Sequence, residues 1–235
     1  MTILRSIIDK TVGVIGAIRT SRKVTPDTMI ADGRVCVNLG CGLAVAPGWI
    51  NVDASLNALF GGAPEVLLSV LYRASGANRY YSHDEYCSLV KNHRFIFHDL
   101  ARSLPFQDHS VDVFYSSHFL EHLFPKDASR LLRNTRLALK PGGVIRIAVP
   151  DLAHAVALYG AGQKQRMLDD YFFVDDLSSY LARHKYMYDY ELLESALRSA
   201  GFEDIRRCAF REGRTPDLER LDNRPDETLF VEATR

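Results

Sequence analysis

Two kinds of residue in this sequence are spaced to do chemistry. The first is a pair of glycines, Gly40 and Gly42, on either side of Cys41 at the end of the apolar run 35–39. Glycines there let the backbone turn sharply and come close to a ligand at the carboxyl edge of a parallel sheet, where open α/β folds bind nucleotides. Two acids close later apolar runs: Asp53 follows Trp49-Ile50-Asn51-Val52, and Asp99 follows Phe95-Ile96-Phe97-His98. A carboxylate just past the next strand is placed to accept hydrogen bonds from ribose hydroxyls. Asp53 reads equally well as the cap of a turn. The second kind is histidine, in His118-Phe119-Leu120-Glu121-His122 and again at His154 and His184, with Asp151 nearby in sequence. An imidazole with its ordinary pKa of about 6.5 can take a proton from a hydroxyl near neutrality. Each of these histidines can also simply pack or cap.

The elements that must position these residues can be read from the pattern around them. The run 35–39, rich in valine and bounded by turn residues, predicts a buried strand. Pro47-Gly48 predicts a turn into a second short strand ending at Asp53, and the interval between the two leaves room for one or two turns of helix, so the first crossover is truncated. Residues 54–93 predict an insertion with helices over 64–73 and 82–91, separated by Gly76 and Asn78-Arg79. Such an insertion suits a pocket cover, or an ordinary surface or dimer element. Strands are predicted over 94–100, closing on Asp99, and over 111–115 and 144–149, a helix starting at 116–123 and continuing over 128–139 after Pro125, and a stop at Lys140-Pro141-Gly142-Gly143. The tyrosine-rich stretch 152–190 is mixed. A helix over 190–200 stops at Gly201, and strands over 204–209 and 228–233 are joined by a polar loop. The alternation predicts an α/β fold with a mostly parallel sheet, and the last two strands, with no helix between them, predict a C-terminal antiparallel hairpin.

Composition narrows the classes. At 235 residues, 47% hydrophobic and 25% charged, the chain fits one globular domain with embellishments and not a disordered one. A formal net charge of +0 offers no electrostatic footprint for nucleic acid. Cys36, Cys41, Cys87 and Cys208 have no CxxC spacing, which argues against a zinc knuckle or a disulfide framework and for a reducing cytoplasm. Residues 1–19 carry Ile3, Leu4, Ile7, Ile8, Val12, Ile15 and Ile18 on one helical face, interrupted by Arg5 and Lys10 and ending at Arg19. That is neither a membrane span nor a signal peptide. We read residues 1–30 as a helical extension packed on the domain or in a homodimer, with peripheral membrane contact as the alternative, and residues 31–235 as the domain proper.

Taken together, Asn38-Leu39-Gly40-Cys41-Gly42, Asp53, Asp99-Leu100, Leu104-Pro105-Phe106, Leu120-Glu121-His122-Leu123 and Leu139-Lys140-Pro141-Gly142-Gly143 resemble, in order and rough spacing, the motifs of the class I S-adenosylmethionine (SAM)-dependent methyltransferases, in particular their type 11-like bacterial members. The joint pattern is specific although no single piece is. The resemblance implies a Rossmann-like fold with SAM as cofactor. It also implies that Asn38, Gly40, Cys41 and Gly42 line its methionine part, Asp53 holds the ribose, Asp99 and Leu100 meet the adenine, and Ser116 lies near the amino-acid end. The family often has an acid where Asn38 stands and a third glycine where Ala44 stands.

For a hydroxyl acceptor a general base adds roughly a hundredfold to ten-thousandfold, and His118 and His184 are the first candidates, ahead of His122, Asp151 and His154. No metal is expected. The expected acceptor is a small-molecule or glycan hydroxyl, since the sequence has no Asn-Pro-Pro-Tyr motif for amino-nitrogen chemistry. Two readings compete: a module that binds SAM or a partner without turnover, and a zinc hydrolase using His118 and His122 as an HxxEH pair one helical turn apart. The hydrolase reading leaves the glycine turn, Asp53 and Asp99 without a role.

Overall fold

The computed structural model describes Val24, Pro26, residues 32–172 and residues 183–235. The expected N-terminal helix over residues 1–30 lies outside the described residues, Val24 and Pro26 apart. A single seven-stranded sheet runs in the order β3-β2-β1-β4-β5-β7-β6, formed by β1 (Cys36–Leu39), β2 (Ile50–Asp53), β3 (Arg94–Phe97), β4 (Val111–Ser117), β5 (Leu139–Pro150), β6 (Glu203–Cys208) and β7 (Thr228–Thr234). The first five pair in parallel, and β7 lies antiparallel between β5 and β6; the antiparallel end is as expected, although the loop joining the two strands does contain a short helix. All four residues of β1 are buried, which accounts for a run that is apolar apart from Asn38.

The strand order reverses between β1 and β4, and open α/β sheets bind ligands at the carboxyl ends of the strands at such a point. Leu39 pairs with Val52 on one side and with Ser116 on the other. The residues just beyond all three, Gly40, Asp53 and Ser117-His118, therefore emerge along one edge.

Two local expectations are corrected. Residues 40–49 contain turns and no helix, so the first crossover is shorter still than its spacing suggests. Trp49 secures that short path: it is buried, stacks edge-on against Tyr115 at 6.3 Å, and its Nε1 donates to Asp217 Oδ2 at 2.8 Å. Residues 116–123 do not begin a helix. Ser116 and Ser117 extend β4 because they keep pairing with Ile147 and Ala148 of β5, and only Leu120–His122 forms a single 3₁₀ turn. The helix proper is Pro125–Ala138, with its proline in the first turn.

The β2-to-β3 crossover carries helices Leu56–Leu59, Glu65–Ala74 and His83–Asn92. The last opens with a complete Ser82/Glu85 capping box, and the group has its own small core of Leu68, Leu71, Tyr86 and Val90. After β5 the mixed stretch resolves into helices Leu152–Gly160 and Lys164–Tyr171, and Tyr190–Ser199 forms as predicted.

The polar loop between β6 and β7 contains a short helix, Leu218–Leu221, and is fastened to the sheet by a buried cation. Arg146 of β5 contacts Asp222 at 2.5 Å and Glu232 at 3.4 Å and donates to the carbonyls of Glu212 and Ala209. Among the described residues no helix is long and apolar enough to cross a membrane.

Candidate functional site

At the carboxyl edge of β1 the chain turns through Gly40 at φ +66° and Gly42 at φ +52°, left-handed conformations that side-chain-bearing residues rarely adopt. The turn is tied to its neighbour strand: the Gly40 amide donates to the Val52 carbonyl at 2.8 Å, and the Gly42 amide to Asp53 Oδ2 at 2.9 Å. Asn38 Nδ2 donates to the Ala44 carbonyl at 2.7 Å, so this side chain shapes the loop from within. Gly40 has a second reason to be glycine. A Cβ there would lie 2.1 Å from Cγ of Phe119, whose ring covers the turn. Cys41 is buried, and burial pushes its thiol pKa up.

Asp99 stands past β3 but closes its own turn, accepting from the Ala101 amide at 3.1 Å and from Arg102 Nε at 2.9 Å. Leu100 is part of the main core. Ser116 is buried and its Oγ has no hydrogen-bond partner among the described residues, which in a folded interior calls for an explanation.

Two residues beyond Ser116, His118 stands at φ +49° with its amide donating to the Ala148 carbonyl at 2.8 Å. A bulky residue in that conformation is uncommon, and such strain gathers at functional sites. His118 opens onto a cavity of about 340 Å³ whose lining includes Tyr80, Glu121, His122, Tyr171, His184 and Arg224. None of the nucleotide-edge candidates lines this cavity; β4 and the turn after it carry the chain from one region to the other. Tyr80 comes from the crossover segment 54–93, which thereby reaches the cavity wall.

One carboxylate in the wall is buried among histidines. Glu121 is fully buried, both of its side-chain oxygens lack a hydrogen-bond partner among the described residues, and three imidazoles surround it. Its Oε1 lies 3.5 Å from His118 Nδ1 and 4.0 Å from the Nε2 atoms of both His122 and His184. The rings of His122 and His184 are 5.0 Å apart. His184 is brought here by backbone pairing: the amides of Lys185 and Tyr186 donate to the Glu121 carbonyl at 2.8 and 3.2 Å. Burial lowers the His184 pKa, with Glu121 acting in the opposite sense.

The other base candidates are otherwise engaged. Asp151 caps Leu152–Gly160 through the Ala153 amide at 3.0 Å and pairs with Arg207 at 3.0 Å. His154 Nδ1 and the Tyr171 hydroxyl share a hydrogen bond of 2.6 Å, and burial raises the pKa of that hydroxyl. His118 and His122 do not share a helical face, because the segment between them is a strained residue and a 3₁₀ turn; the geometry of an HxxEH helix is absent. Sequence reasoning passed over Glu121 as a site residue, together with Tyr80, Tyr171 and Arg224. An acid between two histidines was the available signal for the first; the others had none.

Residues 73–147 match the family model described as a methyltransferase domain. No curated protein matches the sequence. Among solved structures, the S-adenosylmethionine-dependent methyltransferase SibL in its apo form superposes with TM-score 0.50 at 22% identity over 86% of this chain and 50% of that one. A SAM-dependent methyltransferase from Archaeoglobus fulgidus gives TM-score 0.49 at 15% identity over 98% and 94% of the two chains. A chain in the complex containing the Haloferax volcanii Trm112 methyltransferase activator gives 0.47 at 18% over 98% and 92%. Residues 73–147 thus carry the sequence signature of the methyltransferase-domain family, and the seven-stranded sheet they help to build has the Rossmann-like fold of the class I SAM-dependent methyltransferases.

Proposed function

We propose that this protein is a SAM-dependent methyltransferase that methylates a hydroxyl of a small molecule or glycan. The observation that carries the reading is the continuity of β4: Ser116, whose buried Oγ has no partner among the described residues, pairs with Leu39 at the end of β1, and His118, two residues on, lines the cavity. The residues at the edge suit the cofactor. Gly40 and Gly42 offer a side-chain-free turn, Asp53 an acid beside it, and Ser116 a hydroxyl in need of a partner. Asn38 and Asp99 support the two adjoining loops, and Cys41 and Leu100 supply apolar backing. When bound, SAM supplies a methyl group on a cationic sulfonium.

The chain's own residues then have to hold an acceptor in line, which can supply about 7–11 kcal/mol of the barrier, and take its proton. His118 is the proposed base, with His184 facing it across Glu121 as the second candidate. A cavity lined by Tyr80, Arg224, Asp226 and Glu227 presents donors and acceptors of both kinds, which supports a polar, polyhydroxylated acceptor over an apolar one. The four free thiols support a reducing compartment such as the cytoplasm.

Isothermal calorimetry with SAM and with its demethylated product, on protein shown to be folded by circular dichroism, tests this directly. Binding of both is expected. Heat from neither would remove the cofactor and with it the function. Binding without methylated product from a metabolite extract would leave a SAM-binding module and overturn the transferase.

A further inference from the structure

We infer that Glu121, His122 and His184 form a site for a divalent transition-metal ion, with zinc the natural probe, whose open side faces the 340 Å³ cavity. One ligand atom from each lies within 4.8 Å of the other two. The inference rests on the proposed function only for the nature of the acceptor that enters the cavity, and it reassigns His184 from proton acceptor to ligand.

The argument is one of hydrogen-bond bookkeeping. His122 Nδ1 lies 3.2 Å from the Arg183 carbonyl and His184 Nδ1 lies 2.6 Å from the Tyr171 carbonyl. A carbonyl only accepts, so in each ring Nδ1 carries the hydrogen and the neutral ring turns the lone pair of Nε2 inward. Thr228 Oγ1 donates to the Asp226 carbonyl at 3.2 Å and therefore accepts from His118 Nε2 at 3.2 Å, which turns the His118 Nδ1 lone pair the same way. Four acceptors, three imine nitrogens and a carboxylate, point at one small volume, and among the described residues no donor reaches the carboxylate. Like partial charges gathered in a buried site repel unless a cation lies among them.

A proton on Nε2 of His122 or His184 fits less well than an ion. Glu121 Oε1 is 4.0 Å from both ligand nitrogens, too far for a hydrogen bond. Ligand atoms bound at about 2.0–2.2 Å to one ion stand roughly 3–3.5 Å from one another, a spacing that small side-chain rotations reach from here. Histidine ligands characteristically donate their second nitrogen to a backbone carbonyl, as His122 and His184 do. Two histidines and one carboxylate with an open position is the donor set of catalytic zinc and of several other first-row ions. An ion here would hold an oxygen of the acceptor within reach of His118.

The test uses the full chain, stripped with a chelator and dialysed, then titrated with zinc chloride by calorimetry and followed by thermal melting. Roughly one zinc per chain and a raised Tm are expected. Glu121→Gln keeps the shape of the side chain and removes its charge; it should abolish the zinc-induced rise in Tm. His122→Ala and His184→Ala should each weaken zinc by more than the 10–100-fold that loss of a supporting hydrogen bond costs. Absence of binding by folded wild-type protein would overturn the site, and so would zinc binding that Glu121→Gln leaves intact, which would point to the cysteines. SAM calorimetry on the same stripped protein separates the two readings. SAM binding without zinc binding removes this inference alone, and zinc binding without SAM binding removes the proposed cofactor alone.

Discussion

The carboxylate of Asp53 accepts a hydrogen bond of 2.9 Å from the backbone amide of Gly42, so the acid that ends β2 and the turn that ends β1 hold each other in place. Asp53→Ala removes both that bond and the proposed contact to the ribose. Charge-assisted hydrogen bonds of this kind are worth about 1.5–3 kcal/mol, so SAM affinity should fall by roughly ten- to a hundredfold. Calorimetry on Asp53→Ala and Asp53→Asn reads it. A lower Tm with an unchanged dissociation constant would make Asp53 a loop anchor and nothing more.

Gly40 and Gly42 differ in what an added methyl would meet, and their alanine variants should differ accordingly. At Gly42 nothing lies within 4 Å, and only the left-handed backbone opposes substitution, at about 1–2 kcal/mol. At Gly40 the Phe119 ring must also move, adding overpacking of about 1–3 kcal/mol. Urea titration should rank Gly40→Ala as the less stable, and Phe119→Ala in the same chain should recover part of the difference. Equal losses would show that the Phe119 contact is soft.

His118→Ala addresses the chemistry. As the base, His118 should be worth a hundredfold or more in turnover while SAM affinity, set by residues on the other side of β4, changes little. The assay is transfer of label from SAM into an extract fraction. Full activity with a lower Tm would leave His118 a structural residue that fastens β4 to Thr228.

Arg146 is buried with Asp222 and Glu232, and removing it takes the buried cation from between the two acids. Arg146→Met should cost about 3–5 kcal/mol by urea denaturation. The double variant with Asp222→Asn should cost less than the two single losses added together, because the residues share one network. Strict additivity would mean that the β6–β7 loop is held by its other contacts, such as Trp49 to Asp217.

Local pattern was enough to determine the strands, the glycine turn, the Pro125 helix and the antiparallel end, because each depends on neighbours close in the chain: alternation, a proline, a pair of glycines. The order of motifs from Asn38 to Gly143 carried the resemblance, and the methyltransferase-domain model matches residues 73–147 within it. What the sequence could not carry was any relation made by pairing distant segments. Residues 116–117 looked like a helix start and became strand because β5 lay alongside to pair with them. His118 and His122 looked like a zinc pair on one helical turn, and that strand extension removed the helix. The arrangement that replaced it, Glu121 between His122 and His184, exists only because the Lys185 and Tyr186 amides dock on the Glu121 carbonyl. Ring orientation, too, was decided in three dimensions, since the Arg183 and Tyr171 carbonyls determine which nitrogen of each histidine faces the carboxylate.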